Sequence, residues 1–205
     1  MELFTYPALS KFKGKVDLMK IQNSSSKAVK LVLFNLFLVF AITGSVYAEK
    51  VKITKQEVIQ NQKEWANGLV AIGKAYTDGK DYKKTAKNLI NKLYAYQLGK
   101  VLFKPTKAAD IKFRMTKEGA LSYFVGHNKK FPEDKGFALE PWTKVKFKNA
   151  GILLKGNIAL AIGKYFFTNS KGVATGVEYS FGYEKDKNGQ LKIILHHSSL
   201  PYSKE

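Results

Sequence analysis

Apolar residues recur three and four positions apart early in the chain, and alternate or cluster in short runs after that. Behind Thr54-Lys55-Gln56-Glu57, which has the form of a capping box, Val58, Trp65, Leu69, Ile72 and Tyr76 fall at helical spacing. The stretch TDGKD interrupts that stripe. Asp81 can cap a second helix, in which Ala86, Leu89, Ile90, Leu93 and Tyr94 make another stripe that ends at Gly99. Beyond Gly99 the period changes. VLFKPT at 101–106 reads as extended, with Pro105 marking a strand end or a sheet edge. TKEGALSYFVG fits either a short third helix capped by Thr116 or a strand through ALSYFV; the helix is the preferred reading, with Leu121, Phe124 and Val125 partly buried. HNKKFPEDKG reads as a loop. Four further runs, TKVKFKN, NIALAIGKYFFT, VATGVEYSFGYE and LKIILHHSS, are separated by NAG, NSKG and DKNG turns, the pattern of an antiparallel meander. Helices first and strands afterwards predict an α+β fold, two to three N-terminal helices packed on a curved, mostly antiparallel sheet.

The region ahead of Thr54 has a different character. LVLFNLFLVFAI at 31–42 is preceded by Lys20, Lys27 and Lys30 and followed by TGSVYA, the order of a secretory signal peptide cleaved after Ala48. A membrane anchor competes with that reading, but the run is shorter than the roughly 20 residues that span a bilayer and contains Asn35. The expected organisation is therefore an extension and signal peptide at 1–48 and a single domain at 49–205. Met19 is an alternative start, since MKIQNSSSKAVK makes an ordinary basic leader. Export to the periplasm, with no stable membrane anchor after cleavage, is the expected localisation.

Charge changes the picture less than it first suggests. The 205 residues carry a formal net charge of +19, and losing the leader would remove six lysines and two acids, leaving a strongly basic domain. Arg114 is the only arginine. Readers of bases and phosphates rely on the bidentate guanidinium fork, so a lysine-only surface argues against a nucleic-acid partner. A positive field would instead concentrate small anions. The absence of cysteine removes disulfides and thiolate chemistry.

Candidate chemistry collects in the last strand. Strict alternation puts Ile193, Leu195, His197 and Ser199 on one side, continuing an apolar row inward, and Lys192, Ile194, His196 and Ser198 on the other, which is expected to face outward or toward a second subunit. On its own, a buried His and Ser satisfying one another is the simpler account. A three-histidine zinc site would need His127, His196 and His197 together, and the adjacent pair points to opposite faces. A Ser-His-acid triad lacks the strained Gly-x-Ser-x-Gly turn. Glu133, Asp134 and Glu140 stand in the loop region as oxygen donors that would suit a hard cation, or as solvated charges.

Taken in order, WANGLVAIGKAY, LYAYQLGKVLFKPT, GALSYFVGH, EDKGFALEPW, VEYSFGY and LHHSSLPY resemble the iota-class carbonic anhydrases over almost all of 54–203. The resemblance implies a cone-shaped α+β barrel of the nuclear transport factor 2-like superfamily, usually a homodimer, that hydrates carbon dioxide reversibly to bicarbonate. It also implies a catalytic pocket of Thr106, Tyr123, His197 and Ser199, with Thr106, Tyr123 and Ser199 holding substrate; His196, Ser198 and Trp142 are secondary candidates beside these, and no residue is assigned as a metal ligand. No cofactor is expected, although one branch of the family prefers manganese. His197 would accept the proton or orient Ser199. A non-catalytic ligand-binding or assembly module of the same fold is the alternative.

Overall fold

The structure, a computed structural model, describes residues 52–203; the expected leader and its cleavage site lie outside them. The first helix, α1, spans Lys55–Thr77 and starts at the capping box read from the sequence: Glu57 N–H donates to the Thr54 hydroxyl, and Thr54 N–H donates to the Glu57 carboxylate. Helix α2 spans Tyr82–Leu93, with Asp81 accepting from Lys84 N–H. Strand β1 is the short Leu102–Lys104. The ambiguous segment is helical: α3 spans Lys117–Val125, begins with Thr116 accepting from Gly119 N–H, and ends at Gly126 with φ 67°. Its burial is contiguous from Ser122 to Val125 rather than alternating, because this short helix is wrapped on several sides.

A single 3₁₀ turn, Phe137–Leu139, leads into β2 (Lys144–Lys155), β3 (Ile158–Thr168), β4 (Ala174–Lys185) and β5 (Leu191–Ser199). Among the described residues these make a five-stranded sheet in the order β1-β5-β4-β3-β2, antiparallel except for the parallel pair β1 and β5. This is the expected α+β architecture, with one correction. NAG is not a turn: β2 runs straight through it, with a register irregularity between Asn149 and Gly151, and the chain reverses only at Gly156. GILLK extends the strand. The bulge presses against Gly163 of β3, where a side chain would collide with the Lys148 carbonyl.

The helices cover one face of the curled sheet, and Trp65 of α1 sits at the middle. Its ring stacks on Tyr165 at 5.7 Å between centroids and meets Phe147, Phe167, Phe181 and Phe124 edge-on. Val58, Leu69 and Ile72 are fully buried along the same stripe, whereas Tyr76, one turn on, is exposed at the rim. Gln62 and Asn149 exchange two amide hydrogen bonds of 3.0 and 2.8 Å, tying α1 to β2 inside the barrel, and Tyr179 O–H donates to Asn149 at 2.8 Å.

Candidate active site

The inner end of β5 fixes which side chains reach the interior, and one residue decides it. Tyr183 pairs with Ile193, but Gly182 pairs with Leu195, so Ile194 is an extra residue on β5. A bulge of this kind inverts the alternation beyond it. Ile193 faces inward, and so do His196 and Ser198, which pair with the buried Phe181 and Tyr179. His196 and Ser198 are 2% and 3% exposed. The expected facing of this strand is thereby corrected: His197 is exposed and Ser199 half-buried on the outer face, where they line a shallow groove with Lys164, Glu178 and Ser180. The lysine taken to mark the outer face, Lys192, is itself buried, because its Nζ reaches the Lys92 carbonyl at 2.7 Å and Gln190 Oε1 at 3.0 Å.

Two neighbouring strands hold His196 between aromatic rings. Phe103 of β1 stacks on it at 4.6 Å and Phe181 of β4 at 4.1 Å, while Trp65 approaches edge-on at 5.5 Å. Both ring nitrogens are engaged: Nδ1 lies 2.8 Å from the Tyr94 hydroxyl and Nε2 lies 3.3 Å from the Tyr165 hydroxyl. Burial in this shell, and the neighbouring His197 to a smaller degree, push the His196 pKa down to about 3, so the ring is neutral near neutral pH. The Tyr94 and Tyr165 hydroxyls are driven well above the usual phenol range, chiefly by the same desolvation.

Thr106 stands just past β1, where Pro105 ends the strand, and its hydroxyl donates to Ser198 Oγ at 2.8 Å. The Thr106 and Ser198 hydroxyls also lie beside Tyr165, whose pKa they partly hold down. Tyr123, from α3, is 5% exposed; its ring meets Phe103 edge-on at 5.7 Å and its hydroxyl accepts from Lys107 N–H at 3.4 Å, one residue beyond Thr106. Of the expected residues, then, Thr106 and Tyr123 line the same interior as His196 and Ser198, and His197 and Ser199 do not. Tyr123 also forms the inner wall of a cavity of about 630 Å³ that opens outward between Lys107, His127, Phe137 and Trp142. Trp142 packs there on Phe167 at 5.4 Å, and its Nε1–H donates to the Phe137 carbonyl at 2.9 Å.

The rim of that cavity is pinned by an ionic cluster. Arg114, with no exposed surface, donates to Asp134 through Nη2 (2.8 Å) and Nε (3.3 Å) and to Glu133 at 3.2 Å, and also reaches the Ile111 carbonyl. Ser122 O–H donates to Asp134 at 2.6 Å. Glu133 caps the 109–111 loop by accepting from three backbone N–H groups; the Ala109 amide foremost, with Asp110, Ile111 and Arg114, lowers its pKa to about 2. Glu133 and Asp134 are therefore neither solvated charges nor free oxygen donors. Among the described residues, no group of three or more His, Asp or Glu side chains is arranged to hold a metal ion.

Three polar-tipped aromatics of the interior escaped sequence reasoning. Trp65 and Tyr94 are read there as members of apolar stripes, and Tyr165 only as one residue of the strand NIALAIGKYFFT. Their buried N–H and O–H groups were the available signal, since such groups require partners.

Known proteins resemble this chain in sequence and in fold. The family described as metal-independent carbonic anhydrase matches residues 56–200. A metal-independent carbonic anhydrase of Nostoc sp. (strain PCC 7120) is 50% identical over 153 residues, 73% of this chain and 75% of that protein. The crystal structure of an iota-carbonic anhydrase from a cyanobacterium, complexed with bicarbonate, superposes with a TM-score of 0.72 at 48% identity, covering 75% of this chain and 95% of that one. A calcium/calmodulin-dependent protein kinase II association domain from Xanthomonas campestris, 22% identical with a TM-score of 0.51 over 74% of this chain and 91% of its own, shares the fold alone. With a family match running from the first turn of α1 to the end of β5 and a relative identical at half its positions, the chain belongs to the metal-independent carbonic anhydrases.

Proposed function

We propose that this protein hydrates carbon dioxide reversibly to bicarbonate in the pocket formed by Thr106, Tyr123, Tyr165, His196 and Ser198. The observation that carries the assignment of residues is the 2.8 Å hydroxyl pair of Thr106 and Ser198, set beside the Tyr165 hydroxyl in an otherwise aromatic shell. Hydration requires a water to be aimed at the carbon while negative charge grows on the substrate oxygens and the proton it loses passes to solvent water or buffer. Hydroxyl groups that both donate and accept can orient that water and stabilise those oxygens. An apolar wall of Phe103, Phe124 and Phe181 suits a substrate without charge and with little hydrogen-bonding capacity. His196, neutral and bonded at both nitrogens, serves as an orienting group rather than a reservoir for the proton.

The family is described as metal-independent, which supports turnover without a cofactor. Stopped-flow hydration by protein lacking residues 1–48, with chelator and then with added manganese, tests both points. Activity that persists in chelator and is unmoved by manganese supports the reading; activity that appears only with manganese overturns the metal-free part, and none in either condition overturns the whole.

The same reading extends to assembly and location. The outer face of the sheet carries Leu153, Leu160 and Ile162 at 59%, 43% and 54% exposure, an apolar strip that a second copy of the chain would cover in a homodimer. The basic, apolar and small-residue order of 20–48 supports export to the periplasm.

A further inference from the structure

Hydrogen bonds link Trp65, Tyr94, His196 and Tyr165 in a chain with a fixed direction, which ends beside the Thr106 and Ser198 hydroxyls. Trp65 Nε1–H lies 2.8 Å from the Tyr94 hydroxyl oxygen, and indole nitrogen can only donate. The Tyr94 oxygen therefore accepts at this contact. Its own hydrogen has one acceptor within reach, His196 Nδ1, also at 2.8 Å. Were Nδ1 to carry a hydrogen instead, the Tyr94 O–H, with no exposed surface, would be left without an acceptor and would bear the full cost of its desolvation. So Nδ1 is bare, and the neutral ring carries its hydrogen on Nε2, which donates to Tyr165 at 3.3 Å. Tyr165 therefore accepts at this contact and keeps its own O–H free, with the Thr106 and Ser198 hydroxyls beside it.

We infer that Trp65 and Tyr94 are positioning residues, which lock His196 in its Nε2–H tautomer and so direct every hydrogen of the chain from α1 toward the substrate pocket. The Thr106 and Ser198 hydroxyls beside Tyr165 share one hydrogen bond, so between them they hold one further O–H to present to a ligand. A chain polarised in one sense strengthens its terminal donor. That donor is suited to an oxygen gaining negative charge, as on bicarbonate or the transition state before it, and is unsuited to taking a proton from the attacking water. The chain is also closed at its far end, because Trp65 cannot accept; no proton can exit through α1.

This inference rests on the pocket assignment proposed above, and its test reads the tautomer separately from turnover. The full protein is labelled with ¹⁵N-histidine, and His196 is assigned by comparison with His127→Gln and His197→Gln, which alter exposed residues. The expected spectrum has His196 protonated at Nε2 and bare at Nδ1, unchanged between pH 6 and 8. An Nδ1–H tautomer, or a mixture, overturns the inference even if the enzyme is fully active. Trp65→Phe removes the end donor while keeping an aromatic ring. It is expected to let the tautomers mix and to lower kcat on the order of tenfold, the scale on which orienting groups behind a reacting shell act. An unchanged tautomer and rate in Trp65→Phe overturns the inference as well. The labelled native protein decides alone if that variant does not fold. A native protein inactive in every condition but showing the Nε2–H tautomer leaves the locked ring standing and removes the function.

Discussion

Single side chains in this interior do separable jobs, and substitution can tell them apart. Ser198→Ala and Thr106→Val each remove a hydroxyl with little change of volume, and loss of one such donor to a developing oxyanion costs on the order of 10² to 10³ in rate. Stopped-flow hydration is expected to show that loss, with His197→Ala and Ser199→Ala retaining most of the native rate; the reverse ranking would restore the outer pair as the reacting groups. His196 makes a second prediction through stability. Its folded pKa of about 3 lies below the usual imidazole value, so the unfolded chain binds the extra proton first as pH falls. The stabilisation is complete above about pH 6.5 and declines below it with a slope of up to ~1.4 kcal/mol per pH unit. Urea midpoints between pH 6.5 and 5 stay above the range in which Glu133 titrates, and there the native protein should lose stability more steeply than His196→Asn.

Elements differ in how much of them the sequence discloses. Both long helices could be read from stripe and cap because the signals are local: Thr54 and Asp81 bond to amides three residues away. The facing of β5 could not, because the Ile194 bulge is defined by pairing with β4, and nothing within LKIILHHSS distinguishes a bulged strand from a regular one. NAG failed for a related reason: a turn-like tripeptide sits in a strand bulge whose depth is set by Gly163 across the ladder. Thr106 and Tyr123 entered through the family resemblance of KPT and SYF, since neither the strand end nor the short helix marks a hydroxyl as functional. The loop pair 107–116 and 127–136 shows a third case, in which the lone arginine was read only as evidence against nucleic acid. Asp134→Asn leaves the buried Arg114 charge without its main partner, and such breakage costs about 3–5 kcal/mol. Denaturation should register that loss, and Glu133→Gln should speed hydrogen exchange at the Ala109 and Ile111 amides it binds.

At the scale of the domain, the described residues present two chemically distinct faces of one sheet, aromatic and hydroxylated within, apolar and charged without. If the outer strip is covered by a second copy, Ile162→Glu should yield monomers by light scattering at micromolar concentration, with the far-UV spectrum of the native fold preserved. A monomeric native protein under the same conditions would remove the dimer. For the exported form, N-terminal sequencing should begin at Glu49 with EKVKITK, whereas retention of 31–42 would mean an anchor.

The doubled letters of HHSS carry a consequence for how this strand tolerates error. Because His is followed by His and Ser by Ser, sliding β5 by one residue past β1 and β4 replaces His196 by His197 and Ser198 by Ser199 in the interior. The strand spells the same chemistry in either frame. A change in loop length at Asp186–Gln190 that shifts the register can thus be absorbed without emptying the pocket of its imidazole and hydroxyl, while a point substitution at His196 or Ser198 has no such understudy.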